Sequence, residues 1–70
     1  MTQEQRILDY LREFKSITPL EAMRDLGIMR LGARIFDLKG KGYPIIADKV
    51  AVKNRWGETT YVASYRMEGQ

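Results

Sequence analysis

The segment from Thr18 to Gly27 restricts the fold of this chain most, because it marks both ends of one short helix. Its first four residues, TPLE, combine a threonine N-cap, a proline at the first helical position and a glutamate that completes a capping box. Glycine is the residue type that most often ends a helix in the left-handed conformation. The segment therefore predicts helix 2 over Pro19 to Leu26, with an apolar stripe formed by Leu20, Met23 and Leu26.

Two further apolar patterns of helical period flank this segment. Thr2 and Gln5 form a second capping box and predict helix 1 from about Gln3 to Lys15. After the glycine, apolar residues recur at spacings of three and four and predict helix 3 from about Met29 to Lys39. The two stripes consist of Ile7, Leu8, Leu11 and Phe14, and of Ile28, Leu31, Ile35 and Leu38.

Two helices joined by a tight glycine turn form a helix-turn-helix candidate. Ala22 stands five residues before Gly27, whereas the commonest form has a small residue four before the glycine, so we expect a less compact turn. Gly32 lies inside helix 3, where glycine costs about 1 kcal/mol relative to alanine. That cost suggests close packing at Gly32. Gly40 and Gly42 are expected to stop helix 3.

The remaining residues have the pattern of a β-hairpin. Residues 44–53 are rich in β-branched side chains, residues 54–58 resemble a turn, and Thr59 to Met67 alternates as a second strand. Asp48 interrupts the alternation, so we expect a bend or bulge near it. Tyr43, Tyr61 and Tyr65 are expected to pack between the sheet and helix 1.

The order of these elements predicts an α+β winged helix: a three-helix core with a helix-turn-helix, followed by a two-stranded β-hairpin wing. At 70 residues the chain is expected to form a single domain over residues 1–70. In such domains the second helix of the motif enters the major groove of DNA, and we expect the wing on the flanking backbone or in the minor groove.

Several segments also resemble a known family. They are ITPLEA at residues 17–22, the G-I-x-R-L-x-A-R-I pattern at residues 27–35, GYPI at residues 42–45 and NRWG at residues 54–57. Together they are similar to the short helix-turn-helix domain of small phage and prophage proteins. The resemblance implies a winged-helix fold and DNA binding. Gly32 and Phe36 depart from the alanine and the small polar residue expected there.

The net charge of +3 is distributed unevenly along the chain. The stretch from Arg30 to Gly57 contains seven basic and two acidic residues and carries +5, whereas the segments on either side carry −1 each. Attraction of cations to phosphates supplies most of the sequence-independent affinity of proteins for DNA. The charge thus favours DNA contact by the predicted recognition helix and wing.

We expect the DNA-binding residues of helix 3 on its side opposite the apolar stripe. Arg30 lies near the N-terminal end of the helix, and arginine can bind the O6 and N7 atoms of guanine together. Arg34 lies nearer the buried edge and could equally pair with Asp37 or with a carboxylate of helix 2. Phe36 points away from the main stripe and either covers helix 1 or forms a contact surface. The candidates are Met29, Arg30, Ala33, Arg34 and Asp37.

A second group of candidate DNA-binding residues follows helix 3. Five of its members are cations that could neutralise phosphates. Trp56 at the hairpin tip could stack on a sugar or base, or could pack against Tyr61 or another aromatic residue. The group consists of Lys39, Lys41, Lys49, Lys53, Arg55 and Trp56.

Composition argues against other classes of function. The chain has no cysteine and no histidine, so thiol nucleophiles, Cys or His metal sites and the usual general base are missing. We therefore expect no enzyme activity, no cofactor, no metal and no small-molecule substrate. No apolar run approaches the roughly 20 residues that cross a bilayer, so we expect no membrane association and a cytoplasmic location.

The predicted function is sequence-specific binding of double-stranded DNA by a small phage-type or prophage-type transcriptional regulator. Two alternatives stay open, because a fold does not determine a function. One is a winged-helix protein-interaction module in a phage or regulatory complex, and the other is an excisionase-like architectural DNA-binding protein. A homodimer or a protein partner also stays open.

Overall fold

A computed structural model describes residues 1–69 and shows three helical segments followed by an antiparallel hairpin. The predicted α+β winged-helix order is confirmed. Gln70, the last residue of the predicted domain, lies outside the described residues. The elements are α1 (Gln3–Phe14), α2 (Pro19–Glu21) with the π-helix Ala22–Leu26 that continues it, α3 (Leu31–Gly40), β1 (Ile45–Lys53) and β2 (Thr59–Met67).

Both predicted capping boxes are confirmed at the starts of α1 and α2. The Thr2 hydroxyl accepts a hydrogen bond from the Gln5 backbone at 3.1 Å, and the Gln5 side chain accepts one from the Thr2 backbone at 2.9 Å. Thr18 and Glu21 repeat the arrangement at 3.2 and 2.9 Å. Each box satisfies backbone donors that a helix start otherwise leaves free. Helix 1 ends one residue earlier than predicted, with Lys15 in the left-handed conformation.

The second helix differs from the regular α-helix that the sequence predicts, because its last five residues wind as a π-helix. The backbone N–H of Ile28 donates to the carbonyl of Ala22 at 3.0 Å, and Gly27 is left-handed with φ 71°. The wider winding accommodates the extra residue between Ala22 and the turn glycine. It buries Ala22 and leaves Leu20 and Met23 exposed, so the predicted apolar stripe of this helix is wrong at both positions.

The hydrophobic core lies where the three helices meet the base of the hairpin. The segment between α1 and α2 joins it as a one-residue edge strand, since Ile17 exchanges backbone hydrogen bonds of 2.9 and 2.8 Å with Tyr65. Phe14, predicted to be in the apolar stripe of helix 1, is exposed, and its ring lies 4.6 Å from that of Tyr10. The buried core residues are Ile7, Tyr10, Leu11, Ile17, Ala22, Ile28, Leu31, Ile35, Leu38 and Ile45.

A polar contact connects α1 to the helix-turn-helix. The Tyr10 hydroxyl donates to the Asp25 carboxylate at 2.8 Å, and the Arg24 guanidinium donates to the same carboxylate at 2.8 Å. Burial, reinforced by the hydrogen bond to Asp25, raises the pKa of Tyr10 to about 12. The hydrogen bonds from Arg24 and then Tyr10 lower the pKa of Asp25 to about 2. The buried phenol is therefore neutral and the carboxylate charged at physiological pH.

The hairpin pairs without interruption from Ile45 opposite Met67 to Lys53 opposite Thr59. The predicted bulge near Asp48 is therefore wrong. Asp48 stays in the ladder because its carboxylate accepts a hydrogen bond from Arg66 at 2.7 Å, a diagonal cross-strand contact that compensates its charge.

Gly32 was expected to be closely packed, and the structure shows otherwise. It lies on an exposed part of α3, where a Cβ atom would meet only the Tyr65 hydroxyl at 4.0 Å, which is an ordinary van der Waals distance. Packing within residues 1–69 therefore does not require glycine at this position.

We expect Gly32→Ala to raise the free energy of unfolding by about 0.5 to 1 kcal/mol, because alanine loses less backbone entropy in a helix. The urea midpoint measured by circular dichroism should rise. Gly42→Ala is the matched control and should lower the midpoint, because Gly42 has φ 98°. A lower midpoint for Gly32→Ala would contradict the open packing described for α3.

Candidate nucleic-acid interface

The start of α3 differs from the prediction at two candidate residues. Met29 and Arg30 precede the helix, which begins at Leu31 with Arg30 as its N-cap. The left-handed Gly27 ends the second helix, and the turn that follows it, with Ile28 buried, extends to Arg30. The side chains of Met29 and Arg30 are both exposed. Arg30 thus stands at the N-terminal end of the helix, the part of a recognition helix that contacts base edges.

Of the three other candidates on α3, two form an ion pair. The Arg34 guanidinium lies 3.2 Å from the Asp37 carboxylate, one helical turn away, and each side chain is about two-fifths exposed. This is the structural pairing that the sequence left open for Arg34. Ala33 is half-buried beside them. In this state Arg34 is engaged within α3.

The two lysines near the end of α3 differ in their surroundings. Lys41 donates to the Glu4 carboxylate of α1, which raises the pKa of Lys41 and ties the end of α3 to the first helix. Lys39 is exposed, and no ion pair within residues 1–69 involves it. Lys41 is therefore engaged by a residue 37 positions away in sequence, whereas Lys39 keeps its charge available.

The wing, formed by β1, β2 and the turn between them, carries its candidate lysines on one face. Lys49 and Lys53 alternate on β1, and Tyr61 of β2 is paired with Ala51 between them. The Lys53 ammonium donates to the Thr59 hydroxyl at 3.0 Å. We call this face, defined by Lys49, Lys53 and Tyr61, the basic wing face.

Tyr61 was expected in the core, and this prediction is wrong, because 64% of it is exposed. Tyr65 is half-buried against the helices. Tyr61 lies four residues earlier on the same face of the strand, where the hairpin extends beyond the helices. Tyr43 is also exposed. Sequence reasoning missed Tyr61 as a surface residue. The sequence signal for exposure was the spacing of four residues between Tyr61 and Tyr65, which places Tyr61 about 13 Å further along the strand.

The basic wing face is turned towards α3. Tyr65 belongs to this face of the hairpin, and its hydroxyl lies beside Gly32 in the first turn of α3. Lys39 lies on the same side of the helix, two turns after Gly32. One surface therefore combines the exposed part of α3 with the lysines of the wing.

The tip of the wing presents an aromatic and a cationic side chain together. Asn54 organises the turn, since its side-chain oxygen accepts hydrogen bonds of 3.0 Å from the backbones of Trp56 and Glu58. Trp56 is 74% exposed, and the Arg55 guanidinium lies 5.6 Å from the centre of its ring. The predicted alternative that Trp56 packs against Tyr61 or another ring is not observed within residues 1–69.

The opposite face of the wing has an apolar patch beyond the Asp48–Arg66 ion pair. Val50 and Val62 are paired across the hairpin, and with Val52 they form a shallow groove against Pro19 and Leu20 at the start of α2. Lys53 lies at its rim. We call this surface the apolar groove.

Comparison with known proteins gives the family but no individual relative. A family model described as a winged helix-turn-helix domain matches residues 2–69. No curated protein and no solved structure matches the chain closely enough to count as similar. None of the helices in residues 1–69 has the length and apolar character needed to span a membrane. The match extends over nearly the whole sequence, and the chain belongs to the winged helix-turn-helix domain family.

Proposed function

We propose that this chain is a sequence-specific double-stranded DNA-binding protein, a small cytoplasmic transcriptional regulator of the phage or prophage type. Helix α3 enters the major groove, and the wing follows the flanking backbone or minor groove. The observation that carries the proposal is the placement of the basic wing face on the side of the hairpin that turns towards α3. Duplex DNA offers both a groove for a helix and phosphates beside it.

The proposed contacts divide into base reading and phosphate binding. Arg30, at the end of α3 that meets base edges, is suited to hold a guanine through two hydrogen bonds, while Ala33 and Asp37 lie beside it. The phosphate-binding set consists of Lys39, Lys49, Lys53 and Arg55, none of which forms an ion pair within residues 1–69.

Three further candidates have different proposed roles. Lys41 is excluded from the phosphate set, because Glu4 already pairs with it. Trp56 stacks on a sugar at the edge of the site, beside Arg55. Tyr61 joins the interface as a hydroxyl donor between the wing lysines. This activity needs no cofactor and no catalytic group.

Selection from a pool of random duplex DNA at moderate salt tests this function. We expect one motif to be enriched, and its affinity to fall with salt with a slope of log K against log salt of about −4, because each of the four cations in the phosphate-binding set neutralises one phosphate. Absence of binding at low salt, or binding that does not respond to salt, would contradict the proposal. Enrichment of bent DNA without a motif would instead favour an architectural, excisionase-like role.

A protein-interaction module is the second candidate function, and the apolar groove favours it. Leu20 is 63% exposed at its edge, and Val50 and Val52 are also exposed. Contiguous exposed apolar side chains are typical of protein contact sites. The groove and the basic wing face lie on opposite faces of the hairpin and share only Lys53. Leu20→Ser leaves Lys53 in place and should therefore leave DNA affinity unchanged if the first function is right.

A further inference from the structure

Phe36 is an aromatic residue on the surface of the proposed recognition helix. It is 77% exposed, although it lies in the middle of α3. Its ring belongs neither to the core nor to any ring contact in residues 1–69, so it does not cover α1, which was one of its two predicted roles. The fold of the isolated chain gives no reason for a phenylalanine here.

The neighbours of Phe36 on the helix surface leave its ring accessible. Gly32 and Gly40 lie four residues before and after it, which places all three on one side of α3. Neither glycine has a side chain that could shield the ring, and a Cβ atom at Gly40 would meet nothing within 4 Å. A partner can therefore approach the ring from both directions along the helix.

The charge around Phe36 indicates what kind of partner fits. Arg30 precedes α3 and Lys39 follows Phe36 by three residues, and neither is in an ion pair within residues 1–69. Lys39 lies one helical turn from the ring, and Arg30 lies at the N-terminal end of the same helix. An apolar ring on a helix with these two cations suits a polyanion that exposes small apolar groups. The major groove of duplex DNA does so, because the C5-methyl group of each thymine projects into it between the phosphate rows.

We propose that Phe36 is a specificity-determining residue whose ring packs on the methyl group of one thymine in the major groove. This inference rests on the proposed DNA-binding function. Arg30 and Phe36 then read two different bases: Arg30 through hydrogen bonds to a guanine, and Phe36 through apolar contact with a thymine.

The test uses the duplex recovered by selection and removes one methyl group at a time. Each thymine is replaced by deoxyuridine, which pairs identically but lacks the C5-methyl group, and affinity is measured by fluorescence anisotropy at fixed salt. We expect one replacement to weaken binding about fourfold, because burial of one methyl group contributes about that factor. Phe36→Ala should weaken binding to the thymine duplex about tenfold and bind the thymine and deoxyuridine duplexes equally.

Two controls separate this effect from loss of fold or of DNA binding. Phe36→Leu keeps an apolar side chain and should retain part of the dependence on the methyl group. Leu20→Ala removes an exposed apolar side chain from the apolar groove and should leave the dependence unchanged. All variants should melt like the parent.

Three results would overturn the role of Phe36. The first is a parent chain that binds its selected duplex but is indifferent to deoxyuridine at every thymine, which would leave the DNA-binding function intact. The second is Phe36→Ala with the affinity of the parent. The third is a free parent chain that sediments as a dimer while Phe36→Ala sediments as a monomer, because the ring would then pack on a second copy. Absence of any binding to duplex DNA would overturn both proposals together.

Discussion

Replacing Leu11 with alanine should remove a large part of the free energy of unfolding, about 2 to 5 kcal/mol. Leu11 is 1% exposed and packs in the core that joins α1 to the helix-turn-helix. A buried leucine-to-alanine change costs about 2 to 5 kcal/mol, from lost burial and the cavity that remains. At roughly 0.05 to 0.15 kcal/mol per residue, a chain of this size has a total stability of only about 4 to 10 kcal/mol.

Urea unfolding followed by circular dichroism measures this effect. Leu20→Ala is the matched control, because the same side chain is removed from an exposed position, and it should change the stability by no more than about 0.5 kcal/mol. Equal losses from the two variants would mean that the described core is wrong.

The second large effect concerns the charges of the proposed interface. Changing Lys39, Lys49 and Lys53 together to glutamine should lower the affinity for duplex DNA by on the order of 100-fold near 0.1 M salt, because three counterion-releasing contacts disappear. The salt slope should become about three units less steep.

A variant with the same change in net charge controls for nonspecific electrostatics. Arg6, Arg12 and Lys15 are exposed on or just after α1, outside the proposed interface, and changing all three to glutamine also removes three positive charges. We expect the salt slope of this variant to stay close to that of the parent. Equal loss of affinity in the two triple variants would show that net charge, and not the placement of α3 and the wing, governs binding.

Local signals explain which parts of the fold could be predicted from sequence. Each capping box, at Thr2 and at Thr18, involves only residues within four positions of each other, and Gly27 bonds only within the last helical turn. The starts of α1 and α2 and the end of the second helix are therefore confirmed. Strand β2 is confirmed at both ends because its alternation is regular. The π-helical winding after Glu21 was visible only as the unusual spacing between Ala22 and Gly27.

The surface could be predicted less well, because it depends on contacts between distant segments. Tyr61 and Tyr65 share one strand face, yet Tyr65 packs against the core and Tyr61 lies beyond it. Lys41 has the sequence surroundings of a free cation, but it pairs with Glu4, which is 37 residues away in the chain. Leu20 has helical apolar spacing, but the π-helix buries Ala22 in its place.

The central claim is that α3 and the basic wing face form the DNA-binding surface. Cross-saturation NMR, in which magnetisation passes from bound DNA to nearby protein protons, tests this claim most directly. With the selected duplex saturated at its own proton frequencies, signals of Ala33, Lys49 and Tyr61 should be attenuated, and the methyl signals of Leu20 and Val62 should keep their intensity. Attenuation centred on Leu20 and Val62 would contradict the account, because the apolar groove would then be the surface that meets the DNA.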